Sequence, residues 1–209
     1  MSYLPENCTC GAKMKIRVSG RRHFVCLSCQ KIWDHLGMTE KFEMPELVDI
    51  GSSWKIGTKL LVDEVKWEII GCNQMICENE NMQWWTLCDE KGNSKYLMDA
   101  WGQLSWIYDE ESKWSPADFA SIEADSKLEY AGLNFLVWQI DRIEQLIVKG
   151  ETGLPLTSNE RPFLIFLACN DQPFSIVWIR SSTSLVYFRQ ENIKTPIIVD
   201  KPITGRVGF

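Results

Sequence analysis

A chain of 209 residues, 45% hydrophobic and 24% charged, can bury a substantial core as one larger domain or two small ones. Its net charge of −6 argues against a protein that binds nucleic acid over its whole surface, and no uncharged apolar run is long enough to cross a bilayer as a helix. The start, Met1 to Pro5, lacks the basic and apolar stretches of a secretory signal, so the expected location is the cytoplasm, with reduced thiols among the eight cysteines.

Residues 1–37 read as a zinc ribbon. Four soft ligands on two tight turns suit a tetrahedral Zn²⁺ site, and the chain offers Cys8-Thr9-Cys10-Gly11 and Cys26-Leu27-Ser28-Cys29. Gly11 can take the positive φ that a knuckle often needs just after its second ligand. The first pair is one residue shorter than the usual C-x-x-C, so either Cys8 or His23 completes the set begun by Cys10, Cys26 and Cys29. Between the pairs, KMKIRV and RHFV alternate polar and apolar residues around Ser19-Gly20, the pattern of a β-hairpin. The ribbon is also basic, with Lys13, Lys15, Arg17, Arg21, Arg22 and Lys31 and no acid between Cys8 and Trp33. Such a module either docks protein or, through residues such as Arg21 and Arg22, contacts phosphates.

Residues 38–53 read as a linker, polar and ending in Gly-Ser-Ser. From Trp54 the pattern is β-like: KLLVDEV, KWEIIGC, MQWWTLCD, SKYLMD and LSWIY, with DEKGNS as a hairpin turn. The second half repeats this order. Lys59 to Ile69 lies over Lys127 to Val137 at an offset of 68, and Trp85 to Glu90 over Phe166 to Asp171 at 81. The latter offset also lays Leu104 to Ile107 over Leu185 to Phe188, and the extra residues fit between Gly150 and Pro162. The expected fold is therefore mainly β: a zinc ribbon, then two related antiparallel β-subdomains, barrel or sandwich-like, at 54–114 and 127–209. A short helical or loop connector at 115–126, with Ser115 as N-cap and Pro116 in the first turn, would join them.

Nothing in this pattern marks a catalytic centre. The two histidines, His23 and His35, lie in or beside the ribbon, and there is no phosphate loop, nucleophile elbow or H-E-x-x-H. Cys72, Cys77, Cys88 and Cys169 form no C-x-x-C pair and read as small buried side chains, with Cys88 and Cys169 in equivalent places. The consecutive Trp84-Trp85 point to opposite faces of their strand, so one of them packs beneath the other subdomain or joins a binding surface. Trp85, Trp101 and Trp114 are the candidate aromatic contacts.

On these residues the chain resembles a group of bacterial proteins of unknown function in which a zinc ribbon, typically C-P-x-C-G followed by C-x-x-C, precedes one or two copies of a β-rich domain. The matching residues are Cys10-Gly11, Cys26 and Cys29, then Gly57, Trp67 to Gly71, Trp84 to Leu87, Lys91-Gly92-Asn93, Tyr96-Leu97, Gly102 and Trp106. Asn7 stands where that group places its first cysteine. The resemblance spans most of residues 8–110 and, more weakly, 127–193. It implies a bacterial intracellular accessory protein, and the residues of the whole chain read best as a Zn²⁺-binding, non-catalytic interaction or assembly module. A nucleic-acid-associated adaptor is the alternative and an enzyme of unknown chemistry the third reading, with indirect membrane association left open.

Overall fold

In this computed structural model the described residues are 6–18, 23–34, 37–38, 45–49, 51–52, 54–100, 103–110, 122–130, 132–152, 161–172, 175–180, 185–193 and 197–200. Among them there are strands and turns but no helix. The cysteine-bearing N-terminal segment, expected as the ribbon, supplies β1 (His23–Val25), β2 (Ile32–Asp34) and β3 (Gly37–Met38). The first half of the body supplies β4 (Lys59–Val62), β5 (Val65–Cys77), β6 (Met82–Asp89), β7 (Ser94–Ala100) and β8 (Gln103–Glu110). The second half supplies β9 (Lys127–Tyr130), β10 (Leu133–Thr152), β11 (Phe163–Cys169), β12 (Ser175–Arg180), β13 (Leu185–Asn192) and β14 (Ile197–Asp200).

The stretch expected as one strand, KLLVDEV, folds back on itself. Asp63 and Glu64 both adopt positive φ, 51° and 64°, and form a two-residue turn that pairs Val62 with Val65. The DEKGNS segment is a turn as expected, with the Asp89 carboxylate accepting from the backbone N–H groups of Lys91 and Asn93. Two antiparallel meanders result, β5 to β8 and β10 to β13. They pair with each other at both margins, β8 with β13 and β5 with β10, and so close an eight-stranded barrel. The halves are thus not two separately closed units. Each contributes four strands to one barrel, because a four-stranded meander alone would leave two unpaired edges.

The interior draws apolar side chains from all eight strands, among them Met75, Trp84, Met98, Ile107, Ile143, Phe166, Val177 and Phe188. A second apolar layer lies on the outer face of the first half, with Trp67, Trp85, Leu87, Leu97 and Trp106, and a third on the outer face of the second half, with Phe135, Val137, Ile165, Leu167 and Ile176. Cover on both faces leaves β5 from Ile69 onward and β6 buried at consecutive rather than alternate residues, Asn73, Gln74, Gln83 and Thr86 included.

The two halves repeat one another bond for bond at their entry. Gly57 N–H donates to the Ile69 carbonyl at 2.7 Å and Asp125 N–H to the Val137 carbonyl at 2.7 Å; both donors have positive φ, 92° and 65°. Thr58 Oγ1 accepts from Lys55 N–H at 3.1 Å, and Ser126 Oγ from Glu123 N–H at 3.2 Å. Each long strand then carries a bulge, at Ile70 in β5 and at Trp138 in β10. These matches all fall at an offset of 68. The next strand does not follow the expected offset of 81: Trp67 opposes Asp89 while Phe135 opposes Cys169, an offset of 80. Cys169 therefore corresponds to Asp89, and Cys88 to Ala168, so the two cysteines are not equivalent. Farther on, Tyr96 opposes Ile107 and Val177 opposes Phe188, which restores 81.

Strand β10 is 20 residues long and joins the barrel to the ribbon. Beyond its barrel segment, Gly150, Glu151 and Thr152 pair with Val25, Phe24 and His23 of β1. The turn of the hairpin expected around Ser19-Gly20 lies outside the described residues; among the described ones, 14–18 are not a strand and β1 pairs with β2 and β10. Residues 17 and 18 are held by a buried carboxylate. Glu151, 1% exposed, accepts from the backbone N–H groups of Arg17 at 2.8 Å and Val18 at 3.1 Å. The Arg17 guanidinium forms a two-pronged ion pair with Glu68 on β5. Part of the expected linker is also bound to the barrel. The Gln74 side-chain amide accepts from Val48 N–H at 2.7 Å and donates to the Val48 carbonyl at 2.6 Å, while Leu47 and Trp54 pack on the outer apolar layer.

At the junction Gly71 opposes Gly150. A Cβ on Gly71 would lie 1.9 Å from the Glu151 carbonyl oxygen, and Gly150, at φ 72°, has the Ile70 carbonyl oxygen 2.3 Å from where its Cβ would be. Gly71→Ala is expected to lower the free energy of unfolding by about 3 kcal/mol or to prevent folding. Gly132→Ala, at φ 77° with nothing within 4 Å, is expected to cost only the left-handed strain, about 1–2 kcal/mol. Urea midpoints of the two variants check the contrast. By the same measurement Glu151→Gln, which sets an amide N–H₂ against a backbone N–H, is expected to lose about 2 kcal/mol.

Candidate metal centre

Each knuckle is shaped by its own backbone. In the first, Gly11 N–H donates to the Cys8 carbonyl and Cys8 N–H to the Ala12 carbonyl, both at 2.8 Å, and a bridge between Asn7 and Lys13 closes the loop. In the second, Gln30 N–H donates to the Cys26 carbonyl at 2.9 Å and Cys26 N–H to the Lys31 carbonyl at 3.0 Å. Both turns end in a left-handed residue directly after the second cysteine: Gly11 at φ 86° and Gln30 at φ 60°. The Lys31 ammonium donates to Thr9 Oγ1 at 2.8 Å and ties one knuckle to the other.

This brings the sulfurs of Cys8, Cys10, Cys26 and Cys29 within 4.8 Å of one another. Cys8 Sγ lies 3.4 Å from Cys29 Sγ, and Cys10 Sγ lies 3.7 Å from Cys26 Sγ. Four sulfurs at the zinc–thiolate distance in a tetrahedron stand about 3.8 Å apart. The cluster therefore has the spacing to hold one metal ion, and all four thiols are free of disulfides. Cys8 and Cys26 are buried, packed with Met14, Phe24 and Trp33, whereas Cys10 is exposed. Burial works against a Cys8 thiolate, but the Cys10 backbone, the Trp33 indole and the neighbouring thiols outweigh it and bring the thiol down to about 6. Burial, with the other three thiols, pushes Cys29 up to about 12. Four thiols at this range disfavour collecting several charges at once, which is the condition a divalent cation relieves.

Cys8 is thus one of the clustered four, and His23 is not: it sits on β1 opposite Asp34 and Thr152. No other group of three or more candidate ligands is present among the described residues. Burial pushes the Cys72 and Cys77 thiols up to about 12, as befits side chains in the outer layer and the barrel interior. Trp85 is 2% exposed, with the Trp54 ring edge-on to it at 6.2 Å, and its layer is covered by the segment before β4 together with Ile193 of the second half. Arg21, Arg22, Trp101 and Trp114 lie outside the described residues. Of the ribbon's other cations, Arg17 is engaged with Glu68 and Lys31 with Thr9, while Lys13 and Lys15 are exposed.

Sequence reasoning missed the residues that dock the ribbon, Glu151 and Glu68. Their only local signal is a carboxylate inside an apolar strand run, VKGET and VKWEII, which a solvated edge explains equally well.

Comparison with protein-family models, with curated proteins and with solved structures finds no match to this chain. The metal centre rests on its own geometry.

The purified protein is expected to carry about one equivalent of tightly bound metal per chain. Cys8→Ser should reduce it to less than half, and His23→Ala should leave it unchanged. Elemental analysis after dialysis checks both.

Proposed function

We propose that Cys8, Cys10, Cys26 and Cys29 bind one Zn²⁺ as a structural ion, and that the protein is a non-catalytic assembly module of a reducing cytoplasm. The observation that carries the reading is the four-sulfur cluster at near-tetrahedral spacing. Four protein thiolates fill the coordination sphere of zinc and leave no open position for a substrate or water, which is the mark of a structural site. The ion would fix both knuckles, and through β1 it would fix how the ribbon lies along β10. Lys13, Lys15 and Lys31 offset the −2 charge of a Zn²⁺ held by four thiolates.

We further infer that the two halves of the barrel derive from a duplicated unit. The repeated entry turn, the paired backbone bonds at offset 68 and the bulge in each long strand support this. Duplicated meanders that close one barrel make a rigid scaffold, suited to presenting surfaces to a partner.

A nucleic-acid adaptor remains the second reading, favoured by the exposed Lys13 and Lys15. Fluorescence anisotropy with oligonucleotides across a salt series separates the two. The assembly reading expects weak binding that is unchanged in a Lys13→Ala/Lys15→Ala variant, and in-cell crosslinks to the same protein partner from wild type and variant. Affinity that falls roughly tenfold or more between about 50 and 200 mM salt, and falls again in the variant, favours the adaptor.

A further inference from the structure

Away from the cysteine cluster, three aromatic rings converge on a single ammonium group. The Lys95 side chain of β7 lies between β5 and β8, with its Nζ 5.7 Å from the centre of the Trp67 ring, 4.9 Å from Trp106 and 5.3 Å from Tyr108. The two indoles are 5.6 Å apart and tilted by 59°, so they form two walls of a cup and not a stack. Both are fixed in the outer apolar layer, with Trp67 5% and Trp106 3% exposed. The Trp106 indole N–H donates to the Asp63 carboxylate at 3.3 Å, which sets the ring's orientation and places an anion beside it. Asp63 is exposed and Lys95 and Tyr108 are half-buried, so the mouth of the cup is at the surface.

A lysine over one ring is ordinary surface packing. Three rings around one nitrogen, with a carboxylate at the edge, are the arrangement by which proteins recognise alkylated ammonium ions. The second cation nearby, Arg189, lies 5.0 Å from the Tyr108 ring but is paired with Glu191 at 3.2 Å, which offsets its charge. A primary ammonium is compact and strongly hydrated, whereas a methylated one sheds its water more readily and presents more surface to the rings. Lys95 is therefore a replaceable occupant.

We propose that the Trp67–Trp106–Tyr108 cage binds alkylated ammonium cations and that Lys95 is its built-in competitor. An incoming trimethylammonium group takes the place of the Lys95 Nζ, which swings out to solvent. Because the resident lysine must leave, the apparent affinity of the intact protein is reduced by the fraction of time the cage is filled. Removing the side chain removes that competition.

The test titrates the full-length protein and its Lys95→Ala and Lys95→Ala/Tyr108→Leu variants with tetramethylammonium chloride, against sodium chloride at matched ionic strength. The indole N–H resonances of Trp67 and Trp106 report occupancy, and the remaining indoles report folding. Wild type is expected to bind weakly, Lys95→Ala several-fold more tightly, and the double variant at least tenfold more weakly than Lys95→Ala. Choline and a trimethyllysine peptide, run in parallel, distinguish a small-molecule source of the group from a protein side chain, and saturable binding of either supports the site. The proposal is overturned if tetramethylammonium moves these resonances no more than sodium does in wild type and Lys95→Ala alike. It is equally overturned if Lys95→Ala leaves the affinity unchanged.

Discussion

The structure depends on the close approach of Gly71 and Gly150. At this point β10 must serve two partners on one sheet: along its barrel segment it pairs with β5 and closes the barrel, and immediately afterwards it pairs with β1 and carries the ribbon. The backbones come together more tightly than any side chain permits, since a Cβ on either glycine would penetrate a carbonyl oxygen of the facing strand. Strand closure and ribbon attachment are therefore not independent features. One glycine pair sets the distance for both, and the carboxylate of Glu151, next in the chain, takes the two backbone N–H groups that the ribbon presents there.

A barrel whose interior is filled by side chains from every strand has no need of a second apolar layer, yet this one has two, one on the outer face of each half. Their burial is what converts a polar connecting segment into part of the core. On the first half, Leu47, Trp54 and Ile56 cover Trp85 and its neighbours, and the segment is held by the Gln74 amide acting as a strand edge would. On the second half, Ile122, Leu128 and Leu133 occupy the comparable place. Among the described residues, Trp54, Trp67, Trp85 and Trp106 all build the outer layer of the first half. Where three aromatic side chains, two of them tryptophans, meet at a surface opening, around Lys95, the same outer layer offers a recognition site.

The ribbon reaches the barrel by three kinds of bond: a strand pairing, a buried carboxylate on backbone N–H groups, and the Arg17–Glu68 ion pair. Its own apolar cluster is small, consisting of Met14, Phe24, Trp33 and two of the cysteines. A module of this size relies on a cross-link to hold its turns, and a metal ion on four thiolates is the cross-link that suits these sulfurs. Its basic side chains are in part structural, which weakens the reading of the ribbon as a phosphate-binding surface.

Much of the strand inventory was legible in the sequence, because alternation of apolar residues and turn chemistry at Asp89 to Asn93 are local properties. The two cysteine pairs were legible for the same reason, and Gly11 took the left-handed conformation that its place after Cys10 demands. The offset of 68 read from the sequence matches the backbone bonds at the entry of the two halves, though the next strand reads a residue out of step, since similarity of side chains does not report which residue opposes which. What only the tertiary structure decided were the long-range choices: that the two halves share one barrel, that Cys8 and not His23 joins the sulfur cluster, that Trp85 lies beneath Trp54, and that Glu151 holds residues 133 and 134 positions away. A strand's sequence fixes which two faces its side chains occupy. Which element then covers each face depends on contacts between segments far apart in the chain, and no local pattern encodes them.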